Sequence, residues 1–162
     1  MSNADDRKVS LRPVTEADTD FLLKVYESGR EHELSLVQWM PEQREQFVRH
    51  QYAAQILHYQ TQFPDAVHSV IEYDGVPAGR IYVQRSADQI QILDLAILSD
   101  HRGKGISTPV IRGLQDEAAD GKKPLRIHVD TSGPFIDIFR KFGFADGGGD
   151  EVSRLMEWKS PY

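Results

Sequence analysis

Ile97-Leu98-Ser99-Asp100-His101-Arg102-Gly103-Lys104-Gly105-Ile106-Ser107 is the stretch around which the rest of the chain can be read. It leaves an apolar run, crosses a basic, glycine-rich loop and enters a segment with apolar residues at helical spacing. Glycines let a backbone turn and come close to an anion, the first N–H groups of a helix lack intrahelical partners, and Arg102 and Lys104 add positive charge. Strand, basic loop and helix in that order make a phosphate-binding layout. The Walker A loop does not fit, because no Gly-Lys-Ser/Thr follows at the required spacing. The dinucleotide fingerprint Gly-x-Gly-x-x-Gly fails at Thr108.

Working outward, Ile106, Val110, Ile111, Leu114 and Ala118 share one face of a helix expected over Ile106 to Ala119, closed by Gly121. Pro109 falls in its first turn, where no intrahelical bond is lost. Upstream, Gln89 to Leu98 is rich enough in Ile and Leu to be central in a sheet. Asp74-Gly75 between apolar runs signals a hairpin joining a strand ending at Tyr73 to one over Ala78 to Gln84. Pro41 suits a first helical position, and Val48, Tyr52, Ile56 and Tyr59 predict a helix that stops before Pro64. Val9 to Pro13 reads as a first strand. A helix capped by Thr15 follows to about Arg30, with a buried stripe of Ala17, Phe21, Leu22, Val25 and Tyr26. Downstream, Leu125 to Val129 is a strand, Pro134 to Lys141 a short helix stopped by Gly143, and Val152 to Trp158 a last strand. The order is mixed α/β, without repeats, and is expected to form one domain over 9–162 behind a polar tail, 1–8.

Composition narrows the function classes. The chain has 162 residues, 40% hydrophobic, which suits one compact core. Nineteen Lys and Arg against 25 acidic residues give a net charge of −6, the opposite of the bias a nucleic-acid binder shows. With no cysteine there is no disulfide, thiolate metal site or cysteine nucleophile, and no metal site is expected. No apolar run approaches the roughly 18 residues of a membrane span. The start is polar, so a cytoplasmic location without membrane association is expected.

Arg102-Gly103-Lys104-Gly105-Ile106-Ser107 resembles the Arg/Gln-x-x-Gly-x-Gly/Ala loop of the GNAT superfamily of N-acetyltransferases. The likeness extends to the strand ending Asp94-Leu95-Ala96-Ile97-Leu98, to Leu125-Arg126-Ile127-His128-Val129, and to Phe139-Arg140-Lys141-Phe142-Gly143-Phe144. That last segment is similar to the family's Leu-Tyr-x-x-x-Gly-Phe signature. The resemblance implies a mostly antiparallel sheet of about six or seven strands with about four helices. A parallel strand pair splays at the cofactor site, between the strand ending at Leu98 and that from Leu125 to Val129. It implies acetyl-CoA as donor, its pyrophosphate on Arg102, Gly103, Lys104, Gly105, Ile106 and Ser107, and its pantetheine arm alongside Ile97 and Leu98. The amides of Ile97 and Leu98 would polarise the thioester carbonyl. The acceptor is a small-molecule or peptide amine, and a homodimer fits the family's habits.

Two departures stand out. Phe139 replaces the tyrosine that serves the family as general acid, and the usual Asn with a following Ala is lost in Thr131-Ser132-Gly133-Pro134-Phe135. Either activity is reduced or water protonates the leaving thiolate, which an unperturbed thiol pKa of about 8.5 allows. Amine activation is the harder step, since an alkylammonium of pKa about 10.4 is neutral in only about one molecule in two thousand at pH 7. His128 falls where several family members carry a glutamate base. Asp94, Asp130 and Glu72 are the other acids on expected strands. Glu31, Glu33 and Trp39 lie where the family shapes its acceptor site. A non-catalytic acyl-CoA-binding module and a phosphate-binding domain unrelated to CoA are the competing readings.

Overall fold

The computed structural model describes residues 8–131 and 135–161. In chain order the elements are β1 (Val9–Pro13), α1 (Thr19–Ser28), α2 (Glu31–Ser35), α3 (Pro41–Gln62), β2 (Val67–Tyr73), β3 (Val76–Arg85) and β4 (Ile90–Ile97). They continue with α4 (Ser107–Asp120), β5 (Leu125–Asp130), α5 (Phe135–Lys141), β6 (Ala145–Gly149) and β7 (Ser153–Trp158). The seven strands form one sheet in the order β1-β2-β3-β4-β5-β7-β6. Every neighbouring pair is antiparallel except β4 and β5, which run parallel. The expected mixed sheet with one parallel pair is therefore present, with β4 at its centre.

The sheet is covered on both faces. On one, Ile106, Val110, Ile111, Leu114 and Ala118 of the α4 segment and Phe139 of α5 pack on Ile81, Val83, Ile90, Ile92, Leu125, Ile127, Val129 and Met156. The five α4-segment residues are the stripe that sequence periodicity marks out. On the other face, α3 meets β3 through Tyr59 against the Tyr82 ring at 5.0 Å and Gln55 against Arg80, and β4 through the Tyr59 hydroxyl on the Leu93 carbonyl. Because β3 is covered on both sides, six successive residues, Ala78 to Val83, are buried. Asp74 and Gly75 both take positive φ, 54° and 80°, which a two-residue hairpin requires and this pair tolerates.

Three details depart from the sequence reading. Ala17 is exposed, because it lies in a 3-10 turn (Glu16–Asp18) ahead of α1, whose buried residues are Leu22 and Val25. The turn's Asp18 accepts the Thr15 N–H at 2.8 Å and two Arg12 bonds at 2.8 and 2.9 Å, which anchors the start of α1 to β1. The five-residue α2 follows at once. The glycine-rich Ala145–Gly149 forms a strand, β6, on the outer edge beside β7.

Candidate active site

β4 and β5 are paired only at Ile90↔Leu125, Gln91↔Arg126 and Ile92↔Ile127. Past that point each strand stays in register with its outer neighbour, β4 with β3 as far as Ile97 and β5 with β7 as far as Asp130. The two strands therefore part company in the middle of the sheet and leave an opening between 93–97 and 128–130. A bulge sits at its start. Tyr82 faces Asp94 and Val83 faces Ile92, so Leu93 is the extra residue, and its carbonyl accepts the Tyr59 hydroxyl of α3 at 3.0 Å.

Backbone bonding decides which amide faces the opening. The Leu98 N–H donates to the Ala78 carbonyl at 2.8 Å. By the alternation of an antiparallel ladder, Ile97 then turns its N–H away from β3, toward the opening. The expectation that both amides polarise a carbonyl is corrected accordingly. Leu98's amide is engaged in the sheet, and Ile97's is the one directed toward the gap.

The loop leaving β4 ends at the N-terminus of α4. Gly103 and Gly105 take φ of 82° and 75°, conformations that L side chains rarely adopt. No side chain caps α4. The two cations of the loop behave differently. Arg102 folds back, its Nε donating to the Ile97 carbonyl at 3.0 Å and its Nη2 to the Ser28 hydroxyl at 3.2 Å, so it braces the loop against β4 and the end of α1. Lys104 is exposed, 3.4 Å from His101 Nδ1 and 5.9 Å over the Tyr73 ring.

A family model described as an acetyltransferase (GNAT) domain matches residues 34–155. The chain belongs to the GNAT acetyltransferase family. Three solved structures show the same fold. The PaiA N-acetyltransferase from Thermoplasma acidophilum, in complex with coenzyme A, is 19% identical with a TM-score of 0.68, covering 94% of this chain and 99% of its own. An acetyltransferase from Thermus thermophilus is 22% identical with a TM-score of 0.65, covering 94% and 97%. A GNAT family acetyltransferase from Elizabethkingia anophelis with acetyl-CoA bound is 13% identical with a TM-score of 0.62, covering 94% and 99%. No curated protein sequence matches the chain. No helix among the described residues is long and apolar enough to cross a membrane.

In this GNAT domain the candidate bases are spread apart. His128 is the first β5 residue beyond the last β4–β5 pair and is exposed. Asp94, two residues beyond that pair on β4, lies on the same face of the sheet by register, and Asp130 stands at the end of β5. Glu72 belongs elsewhere, on β2, where it accepts the Arg12 Nε at 3.0 Å. Asp94 has the partner that an acid within Ile-Leu-Asp-Leu-Ala calls for, the Nε of Arg80 at 2.7 Å. Sequence reading passed over Arg80. The available signal was a cation in the middle of Ala78-Gly79-Arg80-Ile81, opposite an acid on the next strand.

Phe139 is 2% exposed, with its ring edge-on to Phe144 at 5.1 Å, so the tyrosine position of the GNAT signature is core here. Thr131 bonds the 150s turn through the Val152 carbonyl; Ser132, Gly133 and Pro134 lie outside the described residues. The acceptor candidates separate. Glu33 and Trp39 line a cleft of about 250 Å³ with Tyr26, Leu34, Val37 and Phe47, whereas Glu31 is paired with Arg44 at 2.8 Å. Trp39 donates its Nε1 hydrogen to the Leu34 carbonyl at 2.7 Å, which fixes one wall. A larger hollow of about 350 Å³ between α1 and α3 has no residue of β4, β5 or the loop in its lining.

Proposed function

We propose that this GNAT domain is an N-acetyltransferase, moving the acetyl group of acetyl-CoA to an amine by direct attack with both substrates bound. The observation that carries the reading is the opening between β4 and β5 immediately before a loop with two left-handed glycines and an uncapped helix N-terminus. The residues present suit the donor. Loop backbone that reaches positive φ without strain admits close approach of a pyrophosphate, and the α4 N-terminus favours its charge. The Thermoplasma and Elizabethkingia proteins, crystallised with coenzyme A and acetyl-CoA, support the assignment.

Acetyl-CoA supplies an activated acyl group, and the chain's own residues do the rest. Gly103 to Ser107 hold the phosphates, with Arg102 bracing the loop. Ile97 presents an amide to the acyl oxygen. His128, exposed on the β5 side of the opening, takes the proton of the amine directly or through water. Holding amine and acyl donor in one opening provides the proximity that a reaction without a covalent enzyme intermediate depends on. A donor-binding module without turnover is the second reading, and the absence of a hydroxyl at Phe139 favours it.

Donor binding is tested by thermal shift. Acetyl-CoA raises the melting temperature of the wild type, because a ligand specific for the native state stabilises it by mass action. Gly105→Val, which places a branched side chain where φ is 75°, removes the shift. An unchanged shift in a folded Gly105→Val protein rejects the loop as the phosphate site.

A further inference from the structure

Among the described residues only two charged side chains are buried, Asp18 and Arg80. Asp18 is fully accounted for by its bidentate Arg12 bond and by the Thr15 N–H it accepts at the head of its own turn. Arg80 is different. It is 1% exposed, yet its guanidinium has a single carboxylate partner, Asp94, at 2.7 Å. A second nitrogen is held by the Gln55 amide oxygen of α3, and Nη1 is buried without a hydrogen-bond partner. The Tyr52 ring of α3 lies 5.4 Å from the guanidinium carbon.

A buried ion pair with an unsatisfied nitrogen is a weak stability device, since apolar residues of similar volume commonly do as well. What the pair does achieve is placement. Asp94 is 26% exposed, so its carboxylate is reachable while its partner is sealed, and it stands two residues past the last β4–β5 pair, on the face from which His128 also emerges. The adjacent bulge at Leu93 is held by Tyr59 of the same helix. The α3 helix thus grips the β4 side of the opening twice, once through backbone and once through Arg80.

We propose that Arg80 is a positioning residue of the transfer reaction, fixing the Asp94 carboxylate at the mouth of the β4/β5 opening, where it accepts a hydrogen bond from the N–H of the acceptor amine. The inference rests on the acetyltransferase reading above. A carboxylate has four acceptor sites on its two oxygens, so the bond to Arg80 leaves capacity for a donor from the substrate. Asp94 then orients the amine from the β4 side while His128 removes its proton from the β5 side. The division of labour places the acceptor's nitrogen between the two strands.

The test is steady-state kinetics with spermidine, kanamycin, lysine and a peptide with a free N-terminus, reading KM for the amine and for acetyl-CoA separately. Asp94→Asn keeps an oxygen for Arg80 and is nearly isosteric. It is expected to raise the amine KM or lower kcat/KM by roughly 10- to 100-fold, the scale of a hydrogen bond to a charged group, with the acetyl-CoA KM within about twofold. Arg80→Lys keeps the charge but loses the planar fork and is expected to shift the amine term in the same direction. Should Arg80→Lys fail to fold, Gln55→Leu takes its place, releasing Arg80 from α3 with a smaller effect of the same sign. Wild-type turnover with an unchanged amine KM and kcat/KM in Asp94→Asn overturns the inference alone. Acetyl-CoA binding without acetylation of any amine in the panel overturns the acetyltransferase reading, and this inference falls with it.

Discussion

His68 and His128 project from the same face of the sheet, on β2 and β5, and meet opposite surroundings. His68 stacks on Tyr82 with ring centroids 4.4 Å apart, and burial, reinforced by the Arg80 charge, pushes its pKa down to about 4. An unfolded imidazole binds its proton near pH 6.5, so between there and about 4 the unfolded chain holds more protons than the folded one. The stability from a neutral His68 is complete above about pH 6.5 and is lost as pH falls toward about 4. Urea midpoints measured between pH 7 and pH 4.5 should therefore fall in the wild type and stay flatter in His68→Phe. Equal slopes would show that His68 is not the group responsible. Asp18 acts lower on the scale. Arg12 and the Thr15 amide hold it well below the usual carboxylate range, so its contribution is present above about pH 4 and lost beneath it. His128, by contrast, is exposed at the opening, and its expected effect is kinetic. His128→Ala is predicted to remove the ascending limb of kcat/KM against pH and to lose about 10²- to 10⁴-fold near neutrality, with acetyl-CoA affinity retained. Full activity with an unaltered profile would make His128 structural and pass the role to Asp130.

At the scale of elements, what the sequence revealed follows from how local the signal is. The α4 stripe was readable because five apolar residues repeat at helical spacing, and the β2–β3 hairpin because Asp-Gly is a turn that few other pairs make. The β6 strand was not. Ala145-Asp146-Gly147-Gly148-Gly149 has almost no strand propensity, and it pairs because β7 offers an edge and Arg154 clamps Asp146 with Nη2 contacts of 2.9 Å to both carboxylate oxygens. Such a strand is specified by its neighbour. Arg154→Ala is accordingly predicted to speed amide hydrogen exchange across β6 while leaving β3 and β4 protected, a difference that mass spectrometry of exchanged peptides resolves. Uniform protection in that variant would show that backbone pairing alone holds the edge. The loop between β4 and α4 was legible as glycine-rich and basic, yet the placement of its side chains was not. Arg102 could be seen to be basic, but its turn back onto Ile97 and Ser28 depends on where α1 ends. Arg80 escaped notice for a related reason. Its meaning comes from β4 and α3, the latter about 25 residues upstream at Gln55, and neither is visible from β3 alone.

At the scale of the molecule, the proposed donor site and the proposed base, His128, lie at one break in a continuous sheet. The β4 strand stays bonded to β3 while β5 stays bonded to β7, so each half keeps its ladder up to the line where they separate. The seven-strand order puts that line in the middle, with helices closing the faces on either side. Backbone at such a break keeps hydrogen-bonding capacity that a complete ladder would have consumed, and the Ile97 amide is one group that retains it. Against activity stands the buried phenyl of Phe139 in place of an acid, so the most direct test of the account is turnover itself. Purified protein is incubated with acetyl-CoA and a library of polyamines, aminoglycosides, amino acids and peptides, and free thiol and acetylated amine are measured together. The account predicts equal amounts of the two products with at least one amine and loss of both in Gly105→Val. Saturable acetyl-CoA binding with no thiol released above the rate without enzyme, for any amine, would contradict it.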